Sequence, residues 1–135
     1  MQSVKFSFLP HIDDRGQLIA IEEYKDIPFQ IRRVYYLFGT AHDTVRGKHA
    51  HKKLEQVLIC VHGSCRIRLD DGTEHITVLL DNPCEGLHIA NNIWREMFDF
   101  SPGAVLLVLA SEPYDESDYI RDYDDFLAEV KSGNE

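Results

Sequence analysis

Along most of this chain apolar and polar positions alternate with a period of two, the period of a strand with one face buried. Residues 4–9 set Val4, Phe6 and Phe8 against Lys5, Ser7 and Leu9, and residues 18–22 form a short run after the turn-like Asp14-Arg15-Gly16. Residues 31–38 carry Val34, Tyr35, Tyr36 and Leu37, and residues 56–61 are a continuous apolar run of the doubly buried kind. Residues 65–69 alternate again, with Arg66 and Arg68 between Cys65, Ile67 and Leu69, before Asp70-Asp71-Gly72 turns the chain. Residues 76–80, 86–90, 94–98 and 104–109 complete the set. Many short strands at near-regular spacing predict an all-β sandwich or barrel. Only residues 118–131 read as helix, because Tyr119, Tyr123, Phe126, Leu127 and Val130 recur at helical spacing. Residues 111–117 read as a polar connector. No repeat, low-complexity stretch or linker divides the 135 residues, so one domain over 1–135 is expected.

Composition narrows the partners. A net charge of -9 argues against nucleic acid and leaves room for a small anionic ligand only where arginines converge. The start, Met1-Gln2-Ser3-Val4-Lys5, lacks the apolar core of a signal peptide, and no apolar run approaches the roughly 20 residues of a membrane span. Cys60, Cys65 and Cys84 have no metal-type spacing and are odd in number, which fits a reducing compartment and buried small side chains. A cytoplasmic protein away from membranes is the expectation.

The chemistry is concentrated in Arg46-Gly47-Lys48-His49-Ala50-His51. A His-x-His pair on a strand points both imidazoles to one face, where they hold a metal or move protons near neutral pH. Reading on, Gln56 lies in the next strand and Gly63 at a hairpin turn. This spacing resembles the first motif of the cupin superfamily, with Gln56 where metal-binding members carry Glu. The segment Ala90-Asn91-Asn92-Ile93-Trp94-Arg95 has the spacing of the second motif, Pro-x-Gly-x-x-His, with Arg95 in place of the ligand His. Arginine keeps its proton and has no acceptor atom, and Gln56 is neutral, so no functional metal is expected. A cation at Arg95 would instead stabilise an oxyanion or a phosphate.

Over nearly the whole chain the resemblance is to the dTDP-4-keto-6-deoxyglucose 3,4-ketoisomerases, metal-independent cupins. It is carried by Asp14-Arg15-Gly16-Gln17-Leu18, Arg33-Val34-Tyr35-Tyr36, the stretch from Arg46 to Gln56, and Gly63-Ser64-Cys65. It continues through Leu69-Asp70-Asp71-Gly72, Trp94-Arg95-Glu96-Met97, Val108-Leu109-Ala110-Ser111 and Asp118-Tyr119-Ile120-Arg121-Asp122-Tyr123. In close relatives His rather than Arg is expected at position 95.

That resemblance implies a cupin double-stranded β-helix (jelly roll) with one C-terminal helix. It implies transfer of a ketone from C4 to C3 of a dTDP-linked sugar through an enediol, with no cofactor. His49 and His51 are the acid–base pair, with His51 expected to handle the carbon protons and His49 to assist. The pyrophosphate needs cations, for which Arg15, Arg33, Arg46, Arg95 and Arg121 are candidates. Tyr35, Trp94 or Tyr119 would stack on the thymine, and Gln56 completes the set. Similar proteins are homodimers that exchange N-terminal strands, a role residues 4–9 could fill. The stretch from Lys52 to Gln56 is more like the members that form the galacto product.

Plainer readings stand beside these. Trp94 equally suits a packed core, Tyr119 and Tyr123 could simply dock the helix, and Gln56 could close a buried hydrogen-bond network. His11, His42, His62, His75 and His88 read as structural or solvated, and Arg66 and Arg68 as a solvated sheet face. Two other functions compete. A dTDP-sugar 3,5-epimerase-like enzyme would use a His-Asp pair, and no such Asp lies near His49 or His51 in the sequence. A non-catalytic sugar-nucleotide binding module would bind dTDP and exchange no substrate proton with solvent.

Overall fold

The structure is a computed structural model that describes residues 4–133. In chain order the strands are β1 (Val4–Ser7), β2 (His11–Asp13), β3 (Gly16–Leu18), β4 (Arg33–Leu37), β5 (Arg46–His51) and β6 (Gln56–His62). They continue as β7 (Cys65–Asp70), β8 (His75–Leu80), β9 (Glu85–Ile89), β10 (Trp94–Phe98), β11 (Val105–Ala110) and β12 (Tyr119–Ile120), and the helix α1 spans Tyr123–Gly133. Two five-stranded antiparallel sheets form, ordered β1-β9-β6-β11-β4 and β12-β5-β10-β7-β8. The hairpin of β2 and β3 stands apart from both. This is the all-β jelly-roll architecture with one C-terminal helix that the strand pattern and the cupin motifs led one to expect.

Strand alternation builds the core. Leu58 and Cys60 of β6, Leu87 and Ile89 of β9, and Leu106 and Val108 of β11 meet Ile67 and Leu69 of β7 and Met97 of β10. The unbroken apolar run of β6 has its own cause: the outer face of this sheet is also covered. Val57, Ile59 and Leu109 lie beneath Phe8, Ile27 and Phe29. At about 25 cal/mol per Å² of apolar surface, each such covered side chain contributes about 1.5–3 kcal/mol.

Two expectations about elements change. The strand expected over residues 18–22 is not one: Leu18 closes the β2–β3 hairpin, and Ile19 and Ile21 pack onto the outer sheet face without joining a ladder. An alternating run serves equally as a strand or as an extended cover, because both bury every second side chain. The helix expected from residue 118 begins at Tyr123. Residues Glu116–Asp118 make a single 3-10 turn capped by the Asp115 side chain, and Tyr119 and Ile120 pair with His51 and Ala50 at the free edge of β5. The α1 N-terminus is set by Asp122, whose Oδ1 accepts from Asp125 N at 3.0 Å. β1, the strand expected to exchange with a partner, is an edge strand that pairs on one side with β9 of its own chain. The β2–β3 hairpin is exposed, with Ile12 at 69% and Leu18 at 59% exposure.

Helix α1 lies on the outer face of the second sheet. Phe126 is fully buried there against Ala50, Trp94 and Ile120. No helix among the described residues is long and apolar enough to cross a membrane.

Candidate active site

The site starts with a fault in β5. Gly47 and Lys48 take left-handed backbone angles, φ +85° and +58°, and the register against β10 shifts between Arg95, opposite His49, and Glu96, opposite Gly47. An extra residue thus enters one strand, a β-bulge. Glycine suits this backbone, and any other residue is strained: a Cβ on Gly47 would lie 3.1 Å from Arg95 O and 3.2 Å from Met97 Cε. Beyond the bulge, alternation sends Ala50 outward under α1 and brings the two imidazoles together with ring centroids 4.8 Å apart. His49 is 8% exposed and His51 is not exposed at all. The Tyr119 ring, delivered by β12, lies 5.1 Å from His49 and 4.3 Å from His51.

Behind the imidazoles runs a directional hydrogen-bond chain. Arg95 Nη1 donates to Gln56 Oε1 at 2.7 Å, and Arg95 Nη2 donates to Ile93 O at 2.8 Å. Gln56 Nε2 donates to Tyr35 Oη at 2.9 Å. Arginine can only donate, so the amide must turn its oxygen to Arg95 and its NH2 to Tyr35. Tyr35 Oη therefore accepts, and its own proton is free for something else. Arg95 is completely buried and pairs with no carboxylate among the described residues; its Nε has no partner. Burial pulls its pKa down to about 10, so it stays charged at neutral pH.

Burial and that charge together govern the histidines. Burial first, then repulsion by Arg95, hold the pKa of His49 down to about 3 and that of His51 to about 2. Both rings are neutral at pH 7 and carry a lone pair, as a general base requires. Neither Nδ1, nor the Nε2 of His51, has a hydrogen-bond partner among the described residues. Tyr35 has its pKa raised by burial and stays protonated.

In front of the imidazoles opens a cavity of about 520 Å³, lined by Arg33, Tyr35, Arg46, His49, Tyr119 and Arg121 among others. Arg33 lies over Tyr35 and Tyr114, 5.3 and 5.7 Å from their ring centroids, and its Nε and Nη2 are buried without partners. Arg121 stacks over Tyr119 at 4.2 Å and is held by Glu116 through bonds of 2.7 and 2.9 Å. The wall thus combines cations with aromatic faces, a surface suited to phosphate and a planar ring.

Five candidates do not line this cavity: His51, Gln56 and Arg95 are wholly buried behind its wall, and Arg15 and Trp94 lie elsewhere. Arg15 lies at the tip of the β2–β3 hairpin, 86% exposed and paired with Asp13 at 2.8 Å. Trp94 lies on the opposite face of its sheet, between Tyr123 and Phe126, and its Nε1 donates to Glu96 Oε2 at 3.0 Å. Alternation makes this unavoidable: once Arg95 points inward, Trp94 points out. One residue escaped the reading of the sequence. Asp118 places Oδ2 3.5 Å from His51 Nδ1, so a carboxylate does stand beside the histidines. Local spacing held no sign of it, since β12 joins β5 only in the folded sheet.

The chain is similar to known proteins in sequence and in fold. The family described as FdtA, WxcM-like, C-terminal, matches residues 2–131. A TDP-4-oxo-6-deoxy-alpha-D-glucose-3,4-oxoisomerase of Aneurinibacillus thermoaerophilus is 55% identical over 126 residues, covering 93% of this chain and 91% of the relative. A 3,4-ketoisomerase of Helicobacter canadensis superimposes with a TM-score of 0.94 at 53% identity, covering 97% of this chain and 98% of its own. A point mutant of the 3,4-ketoisomerase of Thermoanaerobacterium thermosaccharolyticum, solved with TDP-4-keto-6-deoxyglucose, gives a TM-score of 0.94 at 50% identity, covering 96% and 94% of the two chains. Matched from end to end at these identities, the chain belongs to the WxcM-like, C-terminal family, FdtA.

Proposed function

We propose that this protein is a sugar-nucleotide 3,4-ketoisomerase acting on dTDP-4-keto-6-deoxyglucose. The observation that carries the reading is a pair of neutral, buried imidazoles beside a buried guanidinium, with His49 lining a cationic cavity. Relatives at 50% identity and above bear the same activity in their names.

The C3 proton of such a substrate is acidified by the C4 carbonyl. His51 removes it, electrons move onto the carbonyl oxygen, and an enediol forms. The same ring returns a proton at C4, while His49 relays the hydroxyl proton from the C3 oxygen to the C4 oxygen. Substrate and product are isomers, so nothing is oxidised or reduced overall. Tyr35 offers its free O–H to the oxygen that gathers charge, and Arg95, acting through the Gln56 amide, makes that proton a better donor. No metal has a place in this scheme, because Arg95 has no lone pair to offer one. Arg33, Arg46 and Arg121 hold the pyrophosphate, and Tyr119 or Tyr35 flanks the thymine.

We also infer a homodimer. A two-stranded hairpin is marginal by itself, and β2–β3 carries Ile12 and Leu18 in the open. In this reading the hairpin, rather than β1, reaches the second copy and takes Arg15 with it. The free cysteines suit a cytoplasmic enzyme.

Asp118 near His51 favours one second reading, 3,5-epimerisation, whose His-Asp pair the sequence had seemed to lack. Proton NMR of the reaction in deuterated water, with metals chelated, separates the two. A 3-keto product with deuterium at C4 supports ketoisomerisation, and its ring couplings assign the galacto or gluco form. A product still ketonic at C4 with exchanged C3 or C5 means epimerisation. No conversion and no exchange leaves a binding module.

A further inference from the structure

Asp118 is fixed more firmly than an acidic residue on a loop usually is. Its Oδ1 accepts from Lys53 N at 2.8 Å and its Oδ2 from Leu54 N at 3.2 Å, while its backbone O accepts from Lys52 N at 3.1 Å. All three donors belong to the turn that directly follows His51. The backbone at His51 is itself held, with its O accepting from Asn92 N at 2.7 Å and its ladder partner Tyr119 next to Asp118. The carboxylate and the imidazole are therefore parts of one rigid corner. Their 3.5 Å separation is longer than a formed hydrogen bond, and His51 Nδ1 has no other partner among the described residues.

We infer that Asp118 is the positioning residue of the reaction: it keeps the His51 proton on Nδ1, leaves the lone pair on Nε2, and closes on the ring when His51 becomes charged. The carboxylate can only accept, so the ring nitrogen facing it must be the one that carries hydrogen. The other nitrogen is then the base. When that nitrogen takes the substrate proton, the imidazolium gains a counter-charge already in place, which a ring surrounded by Arg95, Arg33, Arg121, His49 and Tyr119 otherwise lacks. A contact of this length tightens when charge develops on the ring. This rests on His51 as the base proposed above.

The informative variant is Asp118→Asn. A single amide oxygen would keep the shorter bond, from Lys53 N, which puts the NH2 at the position of Oδ2, facing His51 Nδ1. An NH2 there donates to Nδ1 and moves the ring proton to Nε2, removing the base. Nitrogen-15 NMR of the histidine rings, with His51 assigned by its loss in His51→Asn, reads the tautomer. Steady-state kinetics reads the consequence. The expected result is Nδ1–H in the unsubstituted protein, a switched tautomer in Asp118→Asn, and kcat lower by at least about a hundredfold with KM within about threefold. Nε2–H in the unsubstituted protein, or kcat unchanged in Asp118→Asn, overturns the inference. Should Asp118→Asn fail to fold, the tautomer of the unsubstituted protein alone decides it. Failure of the ketoisomerase reading looks different: the unsubstituted protein would convert no substrate, whatever its His51 tautomer.

Discussion

Arg95 and Gln56 meet at 2.7 Å in the middle of the protein, both wholly buried, with the guanidinium donating and the amide oxygen accepting. A buried cation without a carboxylate is costly, typically several kcal/mol. A neutral partner leaves its charge unspent, so it acts on the imidazoles and, through the amide, on Tyr35. Replacing the neutral partner tests this. Gln56→Glu gives Arg95 an ion pair but takes away the NH2 that holds Tyr35 Oη. Tyr35 then donates to Glu and loses its free proton. We expect kcat to fall at least about tenfold, as for a lost oxyanion donor, with no loss of melting temperature.

Tyr35→Phe removes the same proton without touching the charge. The Gln56 NH2 loses its acceptor, which costs about 1–3 kcal/mol. Turnover should fall by about 10- to 1,000-fold, the range for one donor to a developing oxyanion. Kinetics together with urea unfolding separates the two effects; unchanged kcat would remove Tyr35 from the mechanism.

The depressed histidines make stability depend on pH in one direction. Their pKa values, about 3 and about 2 when folded, lie below the ordinary value of 6.5 that the unfolded chain regains. Below that value the unfolded chain binds protons that the folded one refuses, so folding weakens as pH falls. Each ring contributes up to about 1.4 kcal/mol per pH unit. Unfolding at pH 7, 6, 5 and 4 should show a steepening loss that His49→Gln partly relieves. The acid limb of kcat should lie well below pH 6, because both rings remain neutral there.

Gly47→Ala tests the bulge. The left-handed backbone costs an alanine about 1–2 kcal/mol, and the new methyl meets Arg95 O and Met97 Cε. His49 moves with it, so kcat should fall while the folded protein persists, as melting and turnover of the variant would show.

Trp94→Phe tests the corrected placement. The change removes a bond to Glu96 and part of a packed ring beneath α1, and should cost about 1–2 kcal/mol. KM and nucleotide affinity should not move, which isothermal titration with dTDP would check; a weakened affinity would return Trp94 to the cavity.

What the sequence by itself determined is what depends on neighbours along the chain. The period of two names the strands, because a pleated backbone turns successive side chains to opposite faces. The same rule puts His49 and His51 together, and Arg95 opposite to Trp94. It stops at the strand's edge. Asp118 meets His51, and Tyr119 meets both imidazoles, only because β12 docks on β5. The periodicity of residues 118–131 spoke for helix over that whole stretch, yet an open strand edge outweighed it at Tyr119 and Ile120. The placement of Arg15 was equally beyond a local reading, since turn chemistry forms a hairpin without saying where it points. Tertiary structure decided the electrostatics as well. A sequence shows Arg95 and two histidines, but only their burial, with the charge of Arg95 added, keeps both rings neutral. Pairing across sheets and exclusion of water are long-range effects, and no run of adjacent residues encodes them.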